Sequence, residues 1–126
     1  MACLETTFLI DLLRGKPEIK EFKDELDKSE TLICIAAPSV MEIWNKITRL
    51  PQKDRINELI SSCVILPLDE KSAKEAADIQ TELQKVGAII DLEDIMIAAI
   101  ARSNGEKLVT RDEHYAKIKG LKILKY

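Results

Sequence analysis

Short apolar runs alternate with longer amphipathic stretches along the whole chain, and this alternation restricts the fold more than any other feature. Runs at residues 2–5, 31–36, 63–68, 107–110 and 121–125 are too short for helices and read as strands. Residues 8–14 read as a helix that Thr6 or Thr7 N-caps and Gly15 ends. A charged helix over 17–27 follows, with Ile19, Phe22 and Leu26 on one face. Pro38 and Ser39 open the next helix, which places Val40, Ile43, Trp44 and Ile47 in one core stripe. Pro51 breaks it, and further helices cover 52–62, 69–86 (closed by Gly87), 91–104 and, briefly, 113–119. Strands separated by helices imply a mostly parallel sheet with helices on both faces, the doubly wound class, in one domain over residues 1–126. In that class ligands sit at the carboxyl edge of the strands, near the point where strand order reverses.

Composition narrows the chemistry. With 46% hydrophobic and 33% charged residues, the 126-residue chain has the make-up of a globular domain that needs no disulfide or structural zinc. No apolar run approaches the roughly 20 residues that span a bilayer, and the opening does not resemble a signal peptide. Cys3, Cys34 and Cys63 are widely spaced in apolar stretches and read as buried thiols of a reducing cytoplasm. A single histidine, His114, excludes two-histidine ribonuclease chemistry and His-rich zinc sites, and reads as a packing or polar surface residue. The net charge of −3 gives no bulk attraction for polyanions. Residues 69–94 hold eight acids against three bases, and residues 102–126 seven bases against three acids. Solvated helix faces account for most of that asymmetry, so any nucleic-acid contact has to be local.

Parallel strands share a direction, so residues just beyond them collect at one edge. Glu5 ends the first strand, Glu42 lies in the first turn after the second, Asp94 opens the helix over 91–104, and Asp112 follows the fourth strand. Four acids at one rim make a hard, oxygen-rich site suited to Mg²⁺ or Mn²⁺. Plainer readings stand beside this one. Ser39 and Glu42 fit a capping box, Asp91, Glu93 and Asp94 suit a helix N-terminus, Asp112 suits a cap, and Asp11 reads as an exposed helical acid. Asp94 is the hardest to dismiss, because the apolar segment that follows it marks a buried helix. Two carboxylates ~6 Å apart repel by roughly 3 kcal/mol at an effective dielectric near 20, so converging acids call for a cation.

At these residues the sequence resembles the PIN domain family, and within it the VapC toxins of VapBC toxin–antitoxin pairs. Leu4 to Gly15 matches the family's opening, Ser39 to Glu42 its second acidic position, and Asp94 to Ala99 its DxxIAA helix. Leu108 to Tyr115 is similar to its LVTRDxHF block, with Tyr for Phe. The resemblance implies a three-layer α/β/α fold whose five strands lie in the order 3-2-1-4-5. It implies Glu5, Glu42, Asp94 and Asp112 as the acidic site for Mg²⁺ or Mn²⁺, with Asp91 as a further ligand. Thr7 would orient the first acid and Thr110 line the same pocket. The departure is Glu5, where the family usually has Asp; the longer arm either reaches the ion or marks lost activity.

The activity so implied is endonucleolytic hydrolysis of RNA by in-line attack of an activated water. Arg14, Lys46, Arg49 and Arg111 are candidates for backbone phosphate contacts. A VapB-type antitoxin and a homodimer are the implied partners, with residues 17–27 and 52–62 as candidate surfaces. A catalytically silent scaffold that binds RNA or protein is the alternative. A phosphoacceptor receiver domain fits poorly, because only Glu5 follows the first strand.

Overall fold

Ala2–Leu4 (β1) is the central strand of a five-stranded parallel sheet in the computed structural model, which describes residues 1–29 and 32–126. Thr31, the expected start of the second strand, lies outside the described residues. The chain continues through helices Thr6–Leu13 (α1) and Pro17–Ser29 (α2), strand Ile33–Ala36 (β2), and helices Ala37–Lys46 (α3) and Leu50–Ser61 (α4). Strand Val64–Leu66 (β3) and helices Glu70–Lys85 (α5) and Leu92–Ser103 (α6) follow. Strand Lys107–Thr110 (β4), a 3₁₀ helix over Glu113–Lys117 and strand Ile123–Lys125 (β5) complete it. The sheet order is β3-β2-β1-β4-β5, with every neighbouring pair parallel, so the reversal of strand order falls between β1 and β4 as expected.

The pleat of the strands explains the layers. Ala2 and Leu4 of β1 pack with Phe8, Leu9, Ile35, Ile43, Ile56 and Val109 on the face covered by α1–α4. Cys3, between them, points to the other face with Cys34, Leu108, Ile79, Leu83 and the buried run Ile97–Ala101 under α5 and α6. Cys3, Cys34 and Cys63 are free thiols, the first two fully buried. Among the described residues no helix is long and apolar enough to cross a membrane.

Three local expectations are corrected. Glu5, rather than Thr6 or Thr7, caps α1: its carboxylate accepts the Thr7 amide hydrogen at 3.1 Å. Helix α3 begins at Ala37 with Pro38 in its first turn, so Ser39 lies inside the helix and makes no capping box with Glu42. The Ser39 hydroxyl is buried without a hydrogen-bond partner among the described residues. Trp44 leaves the core stripe and is 40% exposed, its ring covered by the Lys53 ammonium 4.5 Å from the centroid. Asp69 and Ser72, by contrast, form a reciprocal cap that starts α5 one residue after the expected boundary.

Candidate active site

The carboxyl ends of β1 and β4 open into a cavity of about 230 Å³ lined by Glu5, Thr6, Thr7, Ile10, Glu42, Lys46, Asp91, Glu93, Asp94 and Asp112. All five acids expected as ligands reach it, from β1, α3, the start of α6 and the end of β4. Glu93, which the sequence marks only as a helix-start acid, joins them. Sheet topology does this: Glu5 and Asp112 follow adjacent parallel strands, and α3 and α6 present their first turns at the same edge.

Four of these six acids, Glu5, Glu42, Asp94 and Asp112, accept hydrogen bonds from the protein itself. Glu5 is 3% exposed; its Oε2 accepts from the Thr7 amide and, at 2.9 Å, from the Thr110 hydroxyl. The same Thr110 oxygen accepts the Asp112 amide hydrogen at 3.0 Å, so one side chain ties the β1 acid to the β4 loop. Thr6 donates to Glu42 Oε1 at 3.0 Å. The fully buried Tyr115 donates to Asp94 Oδ1 at 3.0 Å, and its hydroxyl also lies 3.5 Å from Glu5 Oε1. Asp112 Oδ1 accepts the His114 amide hydrogen at 3.0 Å and lies 2.8 Å from the His114 ring nitrogen Nδ1.

Electrostatics separates the acids. Burial raises the pKa of Glu5; hydrogen bonds from Thr7 and Thr110 oppose the rise without cancelling it. Burial likewise raises Asp94, against the Tyr115 hydrogen bond and with help from the charges of Glu42, Asp112 and Asp91. At Asp112 burial works against the carboxylate, but the His114 amide and ring and the Arg111 charge outweigh it and hold the pKa low. Burial, then the charges of Glu5 and Asp94, raises Tyr115 far above the usual phenol value, so its hydroxyl remains a donor.

The donors to Glu5, Glu42 and Asp94 are hydroxyls and an amide; no ion pair reaches these three among the described residues. Several hard oxygens with uncompensated charge are the donor set a small divalent cation takes. As placed, no three of the acids, His114 and the cysteines are close enough to grip an ion together among the described residues. The carboxylates splay around the cavity, and side-chain rotation would have to draw them inward.

The expected phosphate-binding residues divide. Lys46 lines the acid cavity and also an adjoining groove of about 370 Å³ with Ile10, Leu13, Arg14, Ile43, Ile47 and Gln52. Arg49 is exposed at the start of α4 and lines neither. Arg111 departs from expectation, because its guanidinium is engaged by Asp11. Asp11 itself is 2% exposed, not a surface acid. Tyr115 and His114, like Thr6 and Glu93, are contributors that sequence reading missed. A Tyr where the family block has Phe was the available signal for the first; the two-residue spacing from Asp112 was the signal for the second.

The PIN domain family model matches residues 2–121, and the chain belongs to that family. Ribonuclease VapC2 of Haemophilus influenzae is 28% identical over 113 residues, covering 86% of this chain and 84% of that protein. The tRNA(fMet)-specific endonuclease VapC of Salmonella typhimurium is 26% identical over 125 residues, covering 95% and 93%. Among solved structures, DNA-bound VapBC from Salmonella typhimurium matches with a TM-score of 0.87 at 26% identity, over 99% of this chain and 98% of that one. VapBC2 from Rickettsia felis, bound to a DNA fragment from its promoter, shares the fold with a TM-score of 0.89 at 19% identity, over 99% and 98%.

Proposed function

We propose that this PIN domain is a Mg²⁺- or Mn²⁺-dependent endoribonuclease, the toxin of a VapBC-type pair. The observation that carries the reading is the set of three acids, Glu5, Glu42 and Asp94, that share one cavity and are satisfied only by neutral donors. Relatives named as VapC ribonucleases support the reaction class.

Glu5, Asp94 and Asp112, with Glu42 and Asp91 at the rim, are the residues that would hold the cation. A bound dication supplies positive charge for the phosphate and lowers the pKa of a water. The chain's own residues do the rest. Thr110 and Thr7 fix the Glu5 carboxylate, Thr6 fixes Glu42, and Tyr115 fixes Asp94. Lys46, which lines both cavity and groove, would meet a backbone phosphate and steer the scissile bond toward the acids. His114 keeps the Asp112 carboxylate oriented.

A VapB-type antitoxin belongs to the same proposal, supported by the VapBC assemblies among the solved relatives, and a homodimer joins it as what the family resemblance implies. The groove that shares Ile10 and Lys46 with the acid cavity is where an antitoxin tail would cover the site. A cytoplasmic location fits the free thiols. One feature favours the silent scaffold instead: Oε2 of Glu5 is already occupied by two internal donors.

Single-stranded RNA incubated with the purified chain decides between them. Cleavage that requires Mg²⁺ or Mn²⁺, stops on chelation and is lost in Asp94→Asn supports the nuclease. Cleavage indifferent to both chelator and that variant refutes it.

A further inference from the structure

A pocket of about 280 Å³ opens beyond the end of β4, lined in part by Arg111, Asp112, Glu113, Ala116, Ile123 and Lys125. It shares Asp112 with the acid cavity, whereas the groove described above joins that cavity through Ile10 and Lys46. Pocket and groove have no lining residue in common, so they adjoin the acids at different points of the rim. Of the ten residues around the acid cavity only Ile10 has an apolar side chain. That lining suits a phosphodiester and offers little to the flat apolar faces of a nucleobase.

The pocket beside Asp112 is built differently. Ala116 and Ile123 give it aliphatic surface, and Arg111 lines it as well. Asp11 accepts hydrogen bonds from two nitrogens of Arg111, yet that side chain is 51% exposed. A guanidinium held at two points is a rigid plane, of the kind on which unstacked bases of single-stranded RNA lie. Lys125 brings a further donor. Its ammonium is 3.3 Å from Glu113, and both side chains are largely exposed, so the pair opens at little cost.

We infer that this pocket is a nucleoside subsite: it takes a base flanking the scissile phosphate, lays it on the Arg111 guanidinium against Ala116 and Ile123, and offers Lys125 to its polar edge. The inference rests on reading the cavity as a ribonuclease site, and it gives that site a sequence preference. Guanine and uracil carry a carbonyl oxygen where adenine and cytosine carry an amino group. Lysine has donors only, so the subsite favours guanine or uracil.

Sequencing the ends left when the full chain cuts single-stranded RNA of randomised sequence, in Mg²⁺ or Mn²⁺, tests this. Wild type is expected to favour guanine or uracil by about tenfold at one position flanking the cut. Ala116→Leu, which narrows the pocket, should still cut but lose most of that preference. An undiminished preference in Ala116→Leu overturns the inference and leaves the nuclease reading intact. So does a wild type that cuts without preference, or favours adenine or cytosine there. Should Ala116→Leu fail to fold or to cut, Lys125→Ala decides: it leaves the pocket open and removes the donor, and a preference unchanged in it overturns the inference. Absence of cleavage by wild type in either metal overturns the nuclease reading, and this inference with it.

Discussion

Arg111 closes onto Asp11 in a two-point contact, with Nε 2.7 Å from Oδ2 and Nη2 3.3 Å from Oδ1. Tyr126 adds a third donor to the same carboxylate at 2.8 Å, and its ring packs edge-on against Phe8 with centroids 4.8 Å apart. Arg111 stands between Thr110, which bonds Glu5, and Asp112, which lines the cavity. The pair therefore anchors the β4 loop to α1 and fixes the direction from which Asp112 enters the site. It also commits the Arg111 guanidinium to Asp11, although half of the side chain stays exposed.

Asp11→Asn is expected to destabilise the fold by about 2 kcal/mol at neutral pH, the scale of a hydrogen bond to a charged group. The Arg111 and Tyr126 contacts lower the Asp11 pKa in the folded state. Its contribution is thus complete above the ordinary carboxylate range and is lost as pH falls through the depressed value. Urea denaturation from pH 7 to pH 3 should show the gap between wild type and variant closing in acid. A gap that stays constant with pH would contradict the assignment.

Thr110→Val removes the bridge between Glu5 and the Asp112 amide while keeping side-chain shape. RNA cleavage is expected to fall about 10- to 100-fold, the range for residues that orient site carboxylates. Thr110→Ser restores the hydroxyl and should recover most of the loss. Equal damage from both variants would point to packing instead.

Metal-free protein should gain stability on mild acidification. Burial raises the folded pKa of Glu5 and of Asp94, so both carry a cost at neutral pH. That cost is relieved as pH falls through the raised values and has vanished below the ordinary carboxylate range. In chelator, Asp94→Asn is expected to melt higher than wild type at pH 7, with the difference shrinking toward pH 5. Thermal melts across that interval check the sign.

Lys46→Ala should raise KM for single-stranded RNA with little change in kcat. The slope of log KM against log salt should weaken by about 0.7, the loss of one phosphate contact to a single strand. An unchanged slope places Lys46 outside the RNA path.

The parallel sheet and the gathering of Glu5, Glu42, Asp94 and Asp112 were legible because strand-helix alternation forces parallel strands, and parallel strands put their following residues at one edge; the order of the strands followed from the family resemblance alone. What escaped depends on partners far along the chain. Asp11 looks like a surface acid until Arg111, 100 positions away, folds against it. Glu42 looks like half of a capping box until the helix starts earlier, at Ala37, and Thr6 supplies the hydrogen bond. Trp44 has core spacing, yet a lysine from the next helix lets its ring remain half outside. Tyr115 shows the same limit at the site: its place in the family's last block was legible, but the destination of its hydroxyl depended on how α6 meets β4.

Crystals of the full chain soaked in Mn²⁺, measured at the manganese absorption edge, test the central claim most directly. An anomalous peak is expected inside the acid cavity, about 2.1 Å from oxygens of Glu5 and Asp94, the distance a small octahedral cation requires. A cavity with no peak, or manganese bound only elsewhere on the surface, contradicts it.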